Sequence, residues 1–243
     1  MQEQAAVVRL ASLARLKGED IDTLREMAGS LGRARAGSVL QHADVAVGDL
    51  LLLLDGWTFS CVTLKGGGRQ IVKIHLPGDL IGMASLPFKR TVDAVVALTD
   101  VEFCTVSPAA LGRLFSDNPR LASLLFLISL EERVTLVDRL SLLGRAETSQ
   151  RIAALILQLR DRMMRTDPDV AASLRVPLTQ THIADMVGAT TVHVSRVIQE
   201  MATGGLLKWE RGRITILDLE RLQAFAAAPS RELAKDPAWL PPG

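Results

Sequence analysis

Cysteine is scarce in this chain, with only Cys61 and Cys104 in 243 residues. Two are too few for a disulfide framework, and too few within one chain for a four-thiolate metal or iron-sulfur cluster. Four histidines are scattered at positions 42, 75, 182 and 193. A metal-dependent enzyme on a β scaffold would need them grouped with carboxylates, so neither catalytic residues nor a metal site is expected. An excess of one charge is missing too: 28 basic residues face 27 acidic ones, for a formal net charge of +1. Any contact with a polyanion must therefore come from a local patch. No apolar run reaches the roughly 20 residues that cross a bilayer; LASLLFLISL is followed at once by Glu131, Glu132 and Arg133. The N-terminus shows no charged-then-apolar leader, so the expected compartment is the cytoplasm, with no membrane partner. What the chain does have is 48% hydrophobic and 23% charged residues, the balance of a globular protein of two domains or one large one.

The most informative stretch is VPLTQTHIADMVGATTVHVSRVIQEM, from Val176 to Met201. Thr179 suits the N-cap of a first helix whose inward face is Ile183, Ala184 and Val187. Ala184 is small where a second helix must cross, and Gly188 can take the left-handed conformation that ends the helix. Thr190 caps a second helix on which Val194, Val197 and Ile198 form one apolar stripe. Thr191, His193, Ser195, Arg196 and Gln199 fall largely off that stripe. This is the pattern of a helix-turn-helix that reads DNA, and its spacing also suits an ordinary helical pair. The next segment favours the first reading. Gly204 and Gly205 stop the helix, and LLKWERGRITIL reads as two strands about a turn at Arg211-Gly212, a wing.

Along the rest of the chain, residues 1–30 carry Val8, Leu13, Leu16, Ile21, Leu24 and Met27 at helical spacing. From about Leu31 to Val106, short apolar runs broken by glycine suit strands and turns. Val72, Ile74 and Leu76 alternate with Lys73 and His75, and Val92, Ala94, Val96 and Leu98 repeat the period of two. Ser107-Pro108 opens a short helix to Phe115, and Asn118-Pro119 a long one to about Leu143. On the long helix Leu127, Leu130, Val134 and Val137 repeat at steps of three and four, with Leu136, Leu140 and Leu143 on an adjacent stripe. A hinge is expected at Gly144, then an amphipathic helix from Glu147 to Arg165, and a last helix from Asp218 to Ala228. The expected organisation is α+β: a β domain over 1–115, a long helix over 116–144, a winged domain over 145–228 and a proline-rich flexible tail over 229–243.

TQTHIADMVGAT, VHVSRVIQEM and GGLL, between Leu178 and Leu207, resemble the winged helix-turn-helix of the Crp/Fnr superfamily of bacterial transcription regulators. LLLLDGWTFSCVTL, GGGRQIVKIHLPGDLIG and TVDAVVALTDVEFCTV are similar to successive strands of that superfamily's β-roll sensor domain, a jelly roll like those that bind cyclic nucleotides. The resemblance implies a homodimer on double-stranded DNA that regulates transcription by RNA polymerase. Leu127, Leu130, Val134 and Val137 would then face the same helix of a second subunit, and Leu136, Leu140 and Leu143 the chain's own domains.

Base readout is expected from Thr191, Val192, His193, Ser195, Arg196 and Gln199, led by Arg196, whose guanidinium can donate twice to guanine O6 and N7. Phosphate contacts are expected from Thr179, Gln180, Thr190, Lys208, Arg211 and Arg213. Where such regulators usually carry glutamate, three residues before Ser195, this chain has Val192. Valine cannot accept from cytosine but can touch a thymine methyl, so the half-site should differ from the usual one. The same departure motivates an alternative, a ligand-binding or protein-interaction module of this fold without specific DNA recognition.

In members that bind cyclic AMP, a Gly-Glu pair holds the ribose and an Arg-Ser or Arg-Thr pair the phosphate. Here Gly82 is followed by Met83, and Arg90-Thr91 lies close behind and one residue out of register, so cyclic AMP is not expected. An Fnr-type iron-sulfur cluster lacks its N-terminal cysteines. Haem would have to use His42 and His75, which read better as strand histidines with structural partners. The effector is left unidentified; a further alternative is that no small molecule is sensed and that expression level or a partner protein sets activity.

Overall fold

The computed structural model describes residues 4–226, 228–229 and 231–241. The chain forms two compact units, Met1–Ser129 with Leu233–Gly243, and Leu130–Glu232.

The first unit opens with helices α1 (Gln4–Ala11) and α2 (Gly18–Met27). Eight strands follow: β1 (Leu31–Ala34), β2 (Val39–Gln41), β3 (Leu50–Asp55), β4 (Thr58–Thr63), β5 (Arg69–His75), β6 (Leu80–Ile81), β7 (Ala94–Ala97) and β8 (Val101–Val106). They make two antiparallel four-stranded sheets, ordered β1-β8-β3-β6 and β2-β7-β4-β5. Between the sheets Leu53, Ile81, Val95, Ala97 and Val101 form a small core. A larger one unites Leu10, Leu24, Leu50 and Leu52 with Leu114 of α3 (Pro108–Asp117) and with Leu121, Leu124 and Leu125 of α4 (Pro119–Arg145).

The apolar alternation of the sequence is only partly the alternation of burial. In β7 the inward residues are Val95 and Ala97, so the phase Val92, Ala94, Val96, Leu98 is the less buried one. Both phases are apolar because β7 is an inner strand, and periodicity alone does not choose between them. In β5 a register shift opposite Ser60 and Cys61 adds one residue, so Ile71 and Ile74, three apart, both point inward.

The Pro77-Gly78-Asp79 turn fastens α1 to the roll. Gly78 has φ +90°, and a Cβ there would lie 2.5 Å from the Ala5 carbonyl oxygen, so only glycine lets the helix approach. The buried Asp79 carboxylate accepts from the Leu76 N–H at 3.1 Å and has the buried Arg9 Nε 3.7 Å away. Asn118 does the same for α4, as its position before Pro119 suggests: its side chain accepts from the Leu121 N–H and donates to the buried Asp20 carboxylate of α2.

The C-terminal residues differ from the flexible tail that their proline content suggests. Leu240, 8% exposed, belongs to the larger core. Asp236 accepts from the Arg15 N–H and donates its own N–H to the Leu13 carbonyl, while Arg120 donates to the Pro241 carbonyl. Earlier in the tail, within the second unit, Arg231 donates twice to the Asp138 carboxylate at 2.8 and 2.9 Å. A single apolar residue between prolines is enough to dock, which a composition-based reading overlooks.

The second unit contains the later part of α4, α5 (Thr148–Met164), β9 (Ser173–Arg175), α6 (Gln180–Val187), α7 (Thr191–Thr203), β10 (Leu207–Glu210), β11 (Arg213–Ile216) and α8 (Leu219–Ala226). The last helix stops short of the expected Ala228; Ala227 lies outside the described residues. Strand β9, which has no counterpart among the sequence expectations, completes a sheet ordered β10-β11-β9. The division between units falls inside α4, between Ser129 and Leu130, whereas the sequence suggests a hinge at Gly144, near the helix end. The part of α4 beyond that division is tied to its own unit by polar pairing: Arg139 of α4 donates to Gln158 Oε1 of α5 at 2.8 and 3.1 Å, and Glu131 pairs with Arg165. Burial, and then the neighbouring Arg162, pulls the Arg139 guanidinium down to about 10, so it remains a cation at neutral pH.

Beyond Ile128, no apolar residue of α4 is buried. Val134 and Val137 are exposed. Leu127 and Leu130 are only half-buried, and Leu127 packs on the chain's own core. The adjacent stripe departs from expectation: Leu136, Leu140 and Leu143, which the resemblance assigns to the chain's own domains, are exposed, Leu140 by 70%, and Phe126 is exposed too. The helix is longer than the surface that covers it.

The docked tail makes a direct stability test. Replacing Leu240 with alanine should cost about 2 kcal/mol in chemical denaturation, as for other buried leucines; a loose tail would make the change neutral.

Candidate nucleic-acid interface

The pairing of α6 with α7 follows from local chemistry. Thr179 Oγ1 accepts from the His182 N–H, and His182 Nδ1 accepts in return from the Thr179 N–H, both at 3.2 Å, a capping box with histidine in the place of glutamate. Gly188 ends α6 at φ +66°, and both it and Ala189 donate to the Ala184 carbonyl. Thr190 Oγ1 then accepts from the His193 N–H to start α7. Ile183, Ala184 and Val187 on one helix and Val194, Val197 and Ile198 on the other are all buried.

Burying that stripe leaves the opposite side of α7 in solvent. Thr191, Val192, Arg196, Gln199 and Glu200 are exposed, and His193 and Ser195 half-buried. Val192 is 82% exposed, on the first turn of the helix. Arg196 lies between two partners: Nη2 is 2.8 Å from His193 Nδ1, and Nε is 3.7 Å from Glu200 Oε1. The six residues expected to read bases therefore share one accessible face.

Thr179, Gln180 and Thr190 are exposed at the first turns of α6 and α7, where helix N–H groups favour anions. Because Thr179 and Thr190 cap with their oxygens, each hydroxyl keeps a proton to donate. The wing turns at Arg211 (φ +49°) and Gly212 (φ +75°), two consecutive left-handed residues, as a two-residue hairpin requires. Lys208, Arg211 and Arg213 line an open concavity of ≈ 760 Å³ with Arg175, Glu210 and Thr215. Lys208 Nζ is 3.1 Å from Glu210 Oε1, and Arg213 donates to Ser173 Oγ at 3.1 Å.

Arg175 is the residue that sequence reasoning missed. It sits on β9 directly opposite Arg213, so two arginines are cross-strand neighbours. Like charges in that relation repel, and a polyanion relieves the cost. The signal was present in Ser173-Leu174-Arg175-Val176, whose alternate residues Leu174 and Val176 are buried.

The residues named for an effector are not brought together as a clamp. Gly82 has φ +97° and opens a short 3-10 turn, Met83–Ser85, and Met83 packs on the larger core of its unit. Arg90 is turned to Asp44, with Nε 2.6 Å from Oδ1 and 2.9 Å from the carbonyl oxygen. The Thr91 hydroxyl donates to the His42 carbonyl and accepts from the Val45 N–H. These side chains do not fit a cyclic nucleotide, since the ribose lacks a charged acceptor and the cation is engaged elsewhere. His75 is buried, its Nε2 2.8 Å from Ser60 Oγ and its Nδ1 4.0 Å from Asp79 Oδ2. Cys61 and Cys104 are both buried and outside any disulfide, on β4 and β8, and burial pushes the Cys104 thiol up. Among the described residues, no group of three or more His, Cys, Asp or Glu side chains is placed to hold a metal ion, and no helix is long and apolar enough to cross a membrane.

Comparison with known proteins agrees with this geometry. Residues 150–225 match the Crp-like helix-turn-helix domain, and residues 32–118 the cyclic nucleotide-binding domain. The nitrogen fixation regulation protein FixK of Bradyrhizobium diazoefficiens is 32% identical over 166 residues, 68% of each chain. The transcriptional activatory protein AadR of Rhodopseudomonas palustris is 28% identical over 176 residues, 72% of each. The structure of FixK2 from Bradyrhizobium japonicum superimposes with a TM-score of 0.73 at 26% identity, covering 83% of this chain and 98% of that one. With a β-roll before a long helix and a capped, solvent-facing reading helix before a wing, the chain belongs to the Crp/Fnr family of transcription regulators.

Proposed function

We propose that the chain acts in the cytoplasm as a homodimer on a two-fold symmetric DNA operator, and that it regulates transcription by RNA polymerase from there. The reading helix, residues 190–201, enters the major groove, with the two copies about one helical turn apart. The observation that carries this reading is the exposed face of α7, where Val192 stands 82% in solvent on the same helix as the exposed Arg196 and Gln199. In this pose the methyl groups of Val192 meet a thymine methyl in the major groove. Arg196 reads guanine; Thr191, Ser195 and Gln199 complete the base-reading face, and His193 lies against the Arg196 guanidinium. Thr179, Gln180, Thr190, Lys208, Arg211 and Arg213, joined by Arg175, hold phosphates and fix the register.

In the proposed dimer two copies of α4 pair along Leu130, Val134 and Val137. The exposed Phe126 and Leu140 extend the seam, and Leu127 borders it. Modulation enters through the β-roll. The proposal includes no cyclic AMP, iron-sulfur or haem cofactor, in keeping with the partners of Met83, Arg90, Thr91 and His75 described above.

Selection of bound duplexes from a random pool by the purified protein tests the reading. A two-fold symmetric motif with half-sites about 10 bp apart is expected; no enrichment with or without cell extract would sink it. Arg196→Ala should cost about 1–3 kcal/mol on the selected operator and relax preference at one base pair per half-site. Combining Arg175→Ala with Arg213→Ala should instead weaken all sequences alike and lower the slope of log K against log salt by about 2. Leu130→Glu with Val137→Glu should sediment as a folded monomer that no longer holds the symmetric site; unchanged operator binding by such a monomer would refute the dimer.

A further inference from the structure

We infer that His193 is a positioning residue, which holds the Arg196 guanidinium in the pose that reads a guanine rather than touching a base itself. This rests on the reading of α7 as the DNA reader and assigns one residue's part within it. A guanidinium has donors and no acceptor, so across the 2.8 Å between Arg196 Nη2 and His193 Nδ1 the arginine must donate. That fixes the imidazole with Nδ1 unprotonated and its proton on Nε2. His193 is itself well held: it is half-buried, and its N–H is bonded to the Thr190 cap. Arg196 is exposed and would otherwise sample many rotamers.

The remaining partner is too weak to do this alone. Glu200 lies one turn further on, 3.7 Å from Nε, and both side chains are largely exposed, so their ion pair is screened. With the Nη2 hydrogen on the Nε side given to His193 and Nε facing Glu200, the other Nη2 hydrogen and the nearer Nη1 hydrogen are the available pair of parallel donors, which guanine O6 and N7 accept together. Ordering the side chain before binding lowers the entropy cost of docking it. The histidine therefore acts on base preference at the position beneath Arg196 and leaves phosphate contacts alone.

The test compares the full-length protein with His193→Leu, which removes the acceptor, and His193→Asn, whose side-chain oxygen lies close to the place of Nδ1. Random-pool selection and titration on the wild-type operator are run on all three and on Arg196→Ala. The leucine variant should bind the operator roughly 2- to 10-fold more weakly. It should lose preference only at the base pair that Arg196→Ala also relaxes, with an unchanged salt slope, and the asparagine variant should recover both affinity and preference. Leucine and asparagine variants that behave alike, or a leucine variant that weakens every sequence equally, overturn the inference while the DNA-reading proposal stands. A wild-type protein that selects no motif removes that proposal, and this one with it.

Discussion

The burial of one stripe of α7 against α6 is the constraint on which the interface depends. Val194, Val197 and Ile198 leave water together with Ile183, Ala184 and Val187, and the helix can then present only one face outward. A buried aliphatic side chain is worth about 1.5–3 kcal/mol, far more than any single exposed contact on α7. Rotating the helix to show other side chains would cost several such terms. The threonine caps and the left-handed Gly188 set where each helix begins and ends, and the apolar stripe sets its rotation. Which residues meet a nucleic acid is thus decided by packing on the other side of the helix.

Electrostatics adds to this locally rather than globally. A net charge of +1 gives the whole chain little attraction for a polyanion. Four cations around the wing concavity, against Glu210 alone, concentrate positive charge beside the reading helix's own domain. The cross-strand pair Arg175 and Arg213 is a cost to the isolated protein. Stability is given up there for a surface that a phosphate backbone can neutralise.

The β-roll unit applies a different device. Its polar side chains are mostly used to fasten elements to one another: Asp79 and Gly78 fix α1, Asn118 and Asp20 join α4 to α2, and Asp236 and Arg120 dock the tail. Arg90 and Thr91 are likewise committed to the 42–45 segment. The first unit keeps the architecture and spends its polar groups on cohesion.

Sequence alone determined the helix-turn-helix and the wing hairpin, because their signals are local. Thr179, Gly188, Thr190 and Arg211-Gly212 act through the backbone within a few residues, and the stripe of α7 is a period that any reader can count. Exposed Val192 and Arg196 follow from that period. The β-roll was legible as strands and turns, but not the phase of burial at Val95 and Ala97 or the bulge opposite Ser60, since apolar residues occupy both faces. Arg175 beside Arg213, Leu240 in the core, the bare stripe of Leu136, Leu140 and Leu143, and the division of α4 at Ser129 were decided by tertiary structure. Each depends on what comes to lie against a residue from a distant part of the chain, and a periodicity says which residues share a face but never which surface will cover it.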